Sequence, residues 1–449
     1  MPLPPLDDTI AAIATAPGTG AIGVVRVSGP EALSIALALF RPAGGDDIVS
    51  LAGGRFLVGY LVDEGQPLDQ GVLLVFRAPA SPTGQDVIEL QVHGGPALLD
   101  ALLGACVRYG ARAAGPGEFT LRGFLAGKLD LAQAESVQAL VSARSQAARR
   151  HAGIGVAGGL SRRIDALQRQ LTEAYAAVLA VLDYPEEGVE EAALAAPLEA
   201  ALGELDALLA TARASRAARL GAKVALVGRP NAGKSSLLNA LLGFERALVS
   251  ERPGTTRDYL EVPLELGRAS LVAIDTAGLR ATSDEIEDAG VRRARALAQG
   301  ADVVVVVVDG ARPLDDEDHA LAEELAGERT LWVASKADLG QAWDAGDLGV
   351  PALLRVSAPD GSGLQALRDA LEATVLGDAA ATEAWLVSER QEAALREARE
   401  AVARSRSAPD DLKGLDLETA LRSLALVTGR GEVTEDTLSE VFSRFCVGK

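Results

Sequence analysis

Residues Gly228-Arg229-Pro230-Asn231-Ala232-Gly233-Lys234-Ser235 fit the pattern GxxxxGK(S/T), which places a phosphate-cradling loop between a strand and a helix. Backbone N–H groups of such a loop, and of the helix that follows, face phosphate oxygens. Lys234 then reaches the β and γ oxygens, and the Ser235 hydroxyl ligates Mg²⁺. The contacts read from this segment are Asn231, Ala232, Gly233, Lys234, Ser235 and Ser236. Companion segments follow in the order a GTP-hydrolysing site needs. Gly254-Thr255-Thr256-Arg257-Asp258 offers Thr256 as a second Mg²⁺ ligand, with Ser250, Glu251, Arg252, Pro253, Gly254 and Thr255 leading into it. Asp275-Thr276-Ala277-Gly278 ends a strand with an acid and a glycine whose N–H can meet the γ-phosphate. Ser335-Lys336-Ala337-Asp338 follows another strand, and Asp338 can accept from guanine N1–H and N2–H₂, which selects guanine over adenine. Ser357-Ala358-Pro359 follows the next strand.

Two positions depart from the usual set. Ser335 stands where an asparagine commonly precedes the lysine, and a hydroxyl makes fewer tethering hydrogen bonds than an amide. A weakened but retained preference for GTP is the expected result. Leu279 stands where Ras-like proteins carry the glutamine that orients water, which an aliphatic side chain cannot do. Either the chain scarcely hydrolyses GTP, or another acid or an ion supplies the function.

These residues need a parallel sheet to hold them. From 220 to about 376, apolar strands at Val224–Val227, Leu271–Ile274, Val303–Val308, Leu331–Ala334 and Leu353–Val356 alternate with helical segments, the pattern of a doubly wound sheet. Residues 1 to about 125 read as mixed α and β, with strands at Thr9–Thr15, Ala21–Val27, Val72–Phe76 and Val87–Val92. Leu160, Ile164, Leu167, Leu171, Val178 and Leu182 fall on one helical face. An acidic, proline-containing break at 183–187 precedes a second helical stretch from about 196 to 219, and helical sequence returns at 383–407 and 416–428. An α/β module flanked by helical parts suggests an insertion into one discontinuous helical domain, two separate helical domains being the alternative.

The chain has 449 residues, 48% of them hydrophobic, and a formal net charge of −20. That charge repels polyanions at long range, so any nucleic-acid contact must use local basic patches. Candidates are Arg144, Arg149, Arg150, Arg162, Arg163, Arg216 and Arg219. The two cysteines, Cys106 and Cys446, have neither disulfide-framework nor zinc spacing, which suggests a reducing, cytoplasmic setting. The run of consecutive valines, Val303–Val308, has six residues, against roughly 20 apolar residues needed to span a bilayer. Basic residues comprise 37 arginines and only six lysines, at 128, 223, 234, 336, 413 and 449, so each lysine is a candidate for a site needing a compact ammonium.

The whole chain resembles the MnmE (TrmE) family of tRNA-modification GTPases. The resemblance rests on Asp8-Thr9-Ile10, Gly20–Gly29, Asp86–Gln91 with His93-Gly94-Gly95, Gly115–Thr120, Lys128–Glu135, the nucleotide motifs and the ending Phe445-Cys446-Val447-Gly448-Lys449. It implies a folate-binding N-terminal α+β domain (1–125), a discontinuous helical domain (126–219 and 377–449) and an inserted Ras-like P-loop GTPase domain (220–376). It also implies an FAD-containing MnmG-type partner, with which C5 of wobble uridine 34 of certain tRNAs is converted to the aminomethyl or carboxymethylaminomethyl form. A 5-formyl- or 5,10-methylene-tetrahydrofolate supplies the one-carbon unit, and ammonium or glycine the amine. A homodimer through the N-terminal domain, with transient contacts between GTPase domains, belongs to the same picture.

The resemblance implies roles for particular residues. Asn231, Ser250, Arg252 and Thr255 match the positions around a K⁺ that stands where an arginine finger would, and Glu287 matches the acid that orients water. Arg26, Glu89, Lys128 and Lys449 match folate contacts. Cys446 reads either as a small buried hydrophobe or as a reactive thiol near the folate. A ribosome-assembly GTPase, predicting rRNA binding without folate affinity, and a nucleotide-gated scaffold that scarcely hydrolyses are the competing readings.

Overall fold

The computed structural model describes residues 4–44, 47–143, 146–183, 191–212, 222–243, 260–266, 269–275, 300–327, 329–376 and 388–448. The chain divides into two compact units, Met1–Gln138 with Val156–Leu198 and Glu400–Lys449, and Ala139–Gly155 with Glu199–Arg399.

The first unit opens with β1 (Ile10–Ile13), β2 (Gly20–Ser28), α1 (Ala32–Leu39), β3 (Phe40–Pro42), β4 (Arg55–Asp63), β5 (Gln66–Phe76), β6 (Val87–Gly94), α2 (Pro96–Arg108) and β7 (Arg112–Ala113). The strands form one sheet in the order β3-β4-β5-β6-β2-β1-β7, antiparallel except where β1 meets β7. Alternation decides its faces. Val25, Val27, Leu61, Leu73, Val75, Ile88 and Leu90 are buried in one core with Ile35 and Leu39 of α1 and Leu99 and Leu102 of α2. Arg26 of β2 pairs directly opposite Glu89 of β6, both in the alternate register to that core. Each fully buried Leu or Ile in this core contributes about 1.5–3 kcal/mol.

Helices follow as α3 (Glu118–Leu125), α4 (Leu131–Ser142), α5 (Gln146–Val156), α6 (Gly159–Asp183) and α7 (Glu191–Ala210). The residues between α6 and α7, and those at 213–221, lie outside the described set.

The second unit carries β8 (Ala222–Val227), α8 (Lys234–Gly243), β9 (Leu260–Leu266), β10 (Ala269–Asp275), β11 (Val303–Asp309), α9 (Asp316–Glu324), β12 (Thr330–Ser335), α10 (Ala345–Leu348), β13 (Leu354–Arg355) and α11 (Leu364–Leu376). Its sheet order is β13-β12-β11-β8-β10-β9, parallel except between β9 and β10. Val305 and Val307 pack with Leu237, Leu367 and Leu371 on one side, while Val304, Val306 and Val308 pack with Leu321 and Trp332 on the other. A strand buried on both faces explains the unbroken valine run. Because β8 lies between β11 and β10, successive connections leave to opposite sides of it, and a crevice opens at its carboxyl end.

The chain ends with α12 (Glu389–Ser405), α13 (Asp410–Thr428) and α14 (Glu435–Ser443). In the first unit α6 packs along α13. Leu160, Ile164, Leu167, Leu171 and Val178 supply the buried stripe of one helix, and Leu417, Ala420, Leu424 and Val427 that of the other. The helical parts on either side of the α/β module therefore join. Leu121, Leu131, Leu438, Phe442 and Phe445 form a further core uniting α3, α4 and α14.

Candidate functional site

The phosphate loop leaves β8 at Gly228, which has φ of 153°, and a Cβ there would lie 2.2 Å from the Val307 carbonyl oxygen of β11. Only glycine allows this approach. Asn231 also takes positive φ, 63°, and is exposed. The loop closes on α8, whose first residue, Lys234, is buried. Its Nζ donates to the carbonyl oxygens of Gly228 and Arg229, both at 2.7 Å. Ser235 and Ser236 are exposed in the first turn of α8. A hydroxyl oxygen beside a phosphate cradle suits Mg²⁺, a hard cation that keeps water and phosphate among its ligands.

Two more loops are stitched to this one. The buried Ser335 hydroxyl lies 2.7 Å from the Ala232 carbonyl oxygen of the phosphate loop. Lys336, at φ 58°, places its Nζ 2.7 Å from Asp309 Oδ2 at the end of β11. Burial alone would raise the Asp309 carboxyl, but the hydrogen bond from Lys336 and the Ala311 N–H outweigh it and hold the group below its usual range. Ala337 begins a single 3₁₀ turn, Ala337–Leu339, that carries Asp338 into solvent. The Ala337 N–H donates to the Val356 carbonyl at 3.2 Å, which joins this loop to Ser357-Ala358-Pro359. Ser357 itself is fully buried, and its N–H donates to the Ser362 carbonyl at 2.9 Å.

Asp275 ends β10, opposite Leu226 of β8. Thr276, Ala277, Gly278, Leu279 and Glu287 lie outside the described residues, as do Ser250, Glu251, Arg252, Pro253, Gly254, Thr255 and Thr256. What the described residues assemble is a phosphate cradle with a buried ammonium and, from an adjoining loop, an exposed carboxylate.

A second group of expected residues gathers in the first unit. Arg26 Nε donates to Glu89 Oε1 at 2.8 Å, and its guanidinium lies 5.8 Å from the centre of the Phe119 ring. Its Nη1 also reaches the Gly448 carbonyl at 3.5 Å. The carboxyl-terminal segment is held there by a bridge between Val447 and Pro116 and by a Gly117 N–H to Cys446 carbonyl bond of 3.4 Å. At Gly448, φ is 93° and a Cβ would meet the Ile13 carbonyl at 2.4 Å. Cys446 is exposed, so the buried-hydrophobe reading does not hold for it. Lys449 lies outside the described residues. Lys128 lines a cavity of about 480 Å³ with Phe124, Asp130, Gln133, Gly429 and Arg430, whose walls include neither Arg26 nor Glu89.

Sequence reasoning missed a charge network beside this group. Arg112 bridges Asp8 and Glu118 at 2.8 and 2.7 Å, and Arg122 bridges the same two acids at 2.6 and 3.2 Å. Both Glu118 and Arg122 are buried. Burial would raise the two carboxyls, yet hydrogen bonds from the arginines hold Asp8 and Glu118 below their ordinary range. The segments containing Asp8 and Glu118 marked the family resemblance, but their charges gave no sign of this pairing. Of the arginines considered for nucleic acid, Arg149, Arg150 and Arg162 are exposed, whereas Arg144, Arg216 and Arg219 are outside the described residues.

Among the described residues, no helix is long and apolar enough to cross a membrane. Comparison with known proteins gives family matches along the chain. Residues 9–128 match the model described as "GTP-binding protein TrmE N-terminus", and residues 131–446 match "MnmE helical domain". A protein named tRNA modification GTPase MnmE from Thermus thermophilus is 52% identical over 446 residues, covering 99% of this chain and 100% of the relative. One of the same name from Chloroflexus aurantiacus is 41% identical over 464 residues, covering 99% of this chain and 100% of its own. Among solved structures, the G domain of the T. maritima FeoB iron transporter is 28% identical over 34% of this chain and 98% of its own, with a TM-score of 0.27.

Proposed function

The chain belongs to the MnmE family of tRNA modification GTPases, and from that premise we propose that it hydrolyses GTP within a complex that modifies C5 of wobble uridine 34. The observation that carries the GTPase part is the stitching of three loops at the carboxyl ends of β8, β12 and β13, which groups Lys234 and Asp338. Lys234 binds the β- and γ-phosphates of GTP, and the β-phosphate of GDP. Asp338 accepts from the guanine edge. Mg²⁺, when bound, neutralises phosphate charge, and Ser235 and Thr256 would hold it.

Leu279 cannot orient the attacking water, so we assign that task to Glu287. Asn231 through its amide oxygen, with Ser250, Arg252 and Thr255, would hold K⁺, Arg252 contributing only its backbone carbonyl. The ion would supply positive charge near the developing phosphate charge, as a guanidinium does elsewhere.

The N-terminal domain takes about 1–125, and the reduced-folate site of the proposal is Arg26 and Glu89 with the exposed Cys446 thiol beside them, joined by Lys449 and, from the separate cavity it lines, by Lys128. The helical domain takes about 126–219 and 377–449, and the GTPase domain about 220–376. The working assembly is a cytoplasmic homodimer with an FAD-containing MnmG-type partner and tRNA. Phe56, Val58 and Tyr60 alternate along β4 and are exposed, which supports an apolar contact for the N-terminal sheet with a second copy.

Two measurements test the reading. Mass analysis of wobble uridines in tRNA from cells lacking the protein should show the unmodified base, and unchanged modification rejects the tRNA assignment. Single-turnover GTP hydrolysis should be faster in K⁺ than in Na⁺, and equal rates reject the ion's role.

A further inference from the structure

We propose that Arg229 is a positioning residue for Lys234, acting through an ion-pair clasp between its guanidinium and the acids that begin α9. The inference rests on the nucleotide-site reading above and adds a residue to it.

The clasp is built from both sides. One Nη of Arg229 pairs with Asp315, and Nη2 lies 2.6 Å from Glu317. Asp315 is the N-cap of α9 and exchanges reciprocal hydrogen bonds with Asp318, both at 3.2 Å. Arg312 steadies the same cap, with Nη1 3.2 Å from Asp315 and Nη2 2.8 Å from the buried Asp318. Asp315 is thus fixed by its own helix and by a second arginine before it meets Arg229.

On the loop side, the Arg229 peptide supplies one of two loop carbonyls that receive the Lys234 ammonium among the described residues. The other belongs to Gly228, which is wedged against Val307. An ammonium directs its donors by the acceptors it finds, so these two peptides are among the groups that set the orientation of Lys234. Gly228 is held by close packing, whereas Arg229 is held at its carbonyl by the Ala232 N–H at 3.3 Å and at its side-chain end by the clasp. Released from Asp315 and Glu317, the 229 carbonyl is held only on its far side, by the fixed φ of Pro230 and the Ala232 N–H, and it tilts relative to Nζ. A planar guanidinium can engage two carboxylates at once, which the single ammonium of a lysine does less well.

The test is titration of a fluorescent GDP analogue into the full-length chain. Arg229→Ala is expected to weaken binding about fivefold, the size of an effective surface ion pair. The double variant Asp315→Asn/Glu317→Gln should match it, and combining all three should add nothing. Arg229→Glu should weaken binding further, and Arg229→Glu with Glu317→Arg, which leaves the Asp315 cap and its Arg312 pair intact, should recover part of the loss. In a Lys234→Ala background, Arg229→Ala should have no effect. Where that background binds too weakly to titrate, the charge-swapped pair decides. An equal Arg229→Ala loss with and without Lys234, or failure of the swap in a chain whose melting is unchanged, overturns the inference. Failure of the unaltered chain to bind GDP would instead overturn the nucleotide-site reading itself.

Discussion

The hydroxyl of Ser335 lies 2.7 Å from the carbonyl oxygen of Ala232 and 3.2 Å from that of Val308. A hydroxyl has one proton, so it can donate to only one of these acceptors at a time. An asparagine amide at this position has two donors. Ser335→Asn is therefore expected to tighten GDP binding by a few fold, about one added hydrogen bond or ~1 kcal/mol. Ser335→Ala should weaken it by a similar factor, and fluorescent GDP titration measures both.

Glu287→Ala is expected to abolish most GTP turnover while leaving nucleotide affinity within about twofold, because a water-orienting acid acts on the attacking water and not on the bound nucleotide. Single-turnover hydrolysis and GDP titration on one preparation separate the two effects. A parallel loss of affinity would assign Glu287 to binding.

The Asp8, Arg112, Glu118 and Arg122 network sets a direction for acid stability. The folded-state values of Asp8 and Glu118 lie below their ordinary 3.8 and 4.5. Their contribution is fully present above those ordinary values and is lost as pH falls through the lower folded ones. Melting measured from neutral pH downward should decline once pH passes below this range, and Glu118→Gln should flatten the decline. At neutral pH that substitution should cost about 3 kcal/mol, since it leaves a buried guanidinium short of a partner.

The two thiols should differ in reactivity. Cys446 is exposed, whereas burial pushes Cys106 up to about 12. The thiolate is the reacting form, so a disulfide reagent at neutral pH should titrate one thiol rapidly in the folded chain and the second only after unfolding. Two fast thiols would contradict the buried position of α2.

Gly448→Ala should displace the carboxyl-terminal segment, because its Cβ would lie 2.4 Å from the Ile13 carbonyl. The Arg26 contact to the Gly448 carbonyl would be lost with it. Binding of 5-formyl-tetrahydrofolate should fall at least several fold while GDP affinity stays unchanged. Loss of both would indicate global unfolding.

How far the sequence could be read depended on whether a feature is local. The phosphate loop and the valine run of β11 are contiguous, and both lie where their patterns place them. The β4–β5 hairpin was not legible: it turns through Glu64 and Gly65 at φ 49° and 81°, and glutamate is not among the residues that favour such turns. Helix α1 is apolar nearly throughout, with no polar face to reveal its period. At the site, Arg26 and Glu89 could be singled out only by family resemblance, since cross-strand pairing depends on register. The contact between Asp8 and Arg112 spans 104 positions and left no local trace at all.

The pairing of α6 with α13 sets a schedule for synthesis. On the ribosome, the Leu160, Ile164, Leu167 and Leu171 stripe emerges more than two hundred residues before its partner helix begins at Asp410. At about 5–20 residues per second, the wait is roughly 12–50 s. The intervening α/β unit, with its own core, has that interval in which to fold. The apolar stripe of α6 meanwhile lacks its eventual cover, which leaves it open to a chaperone until α13 arrives.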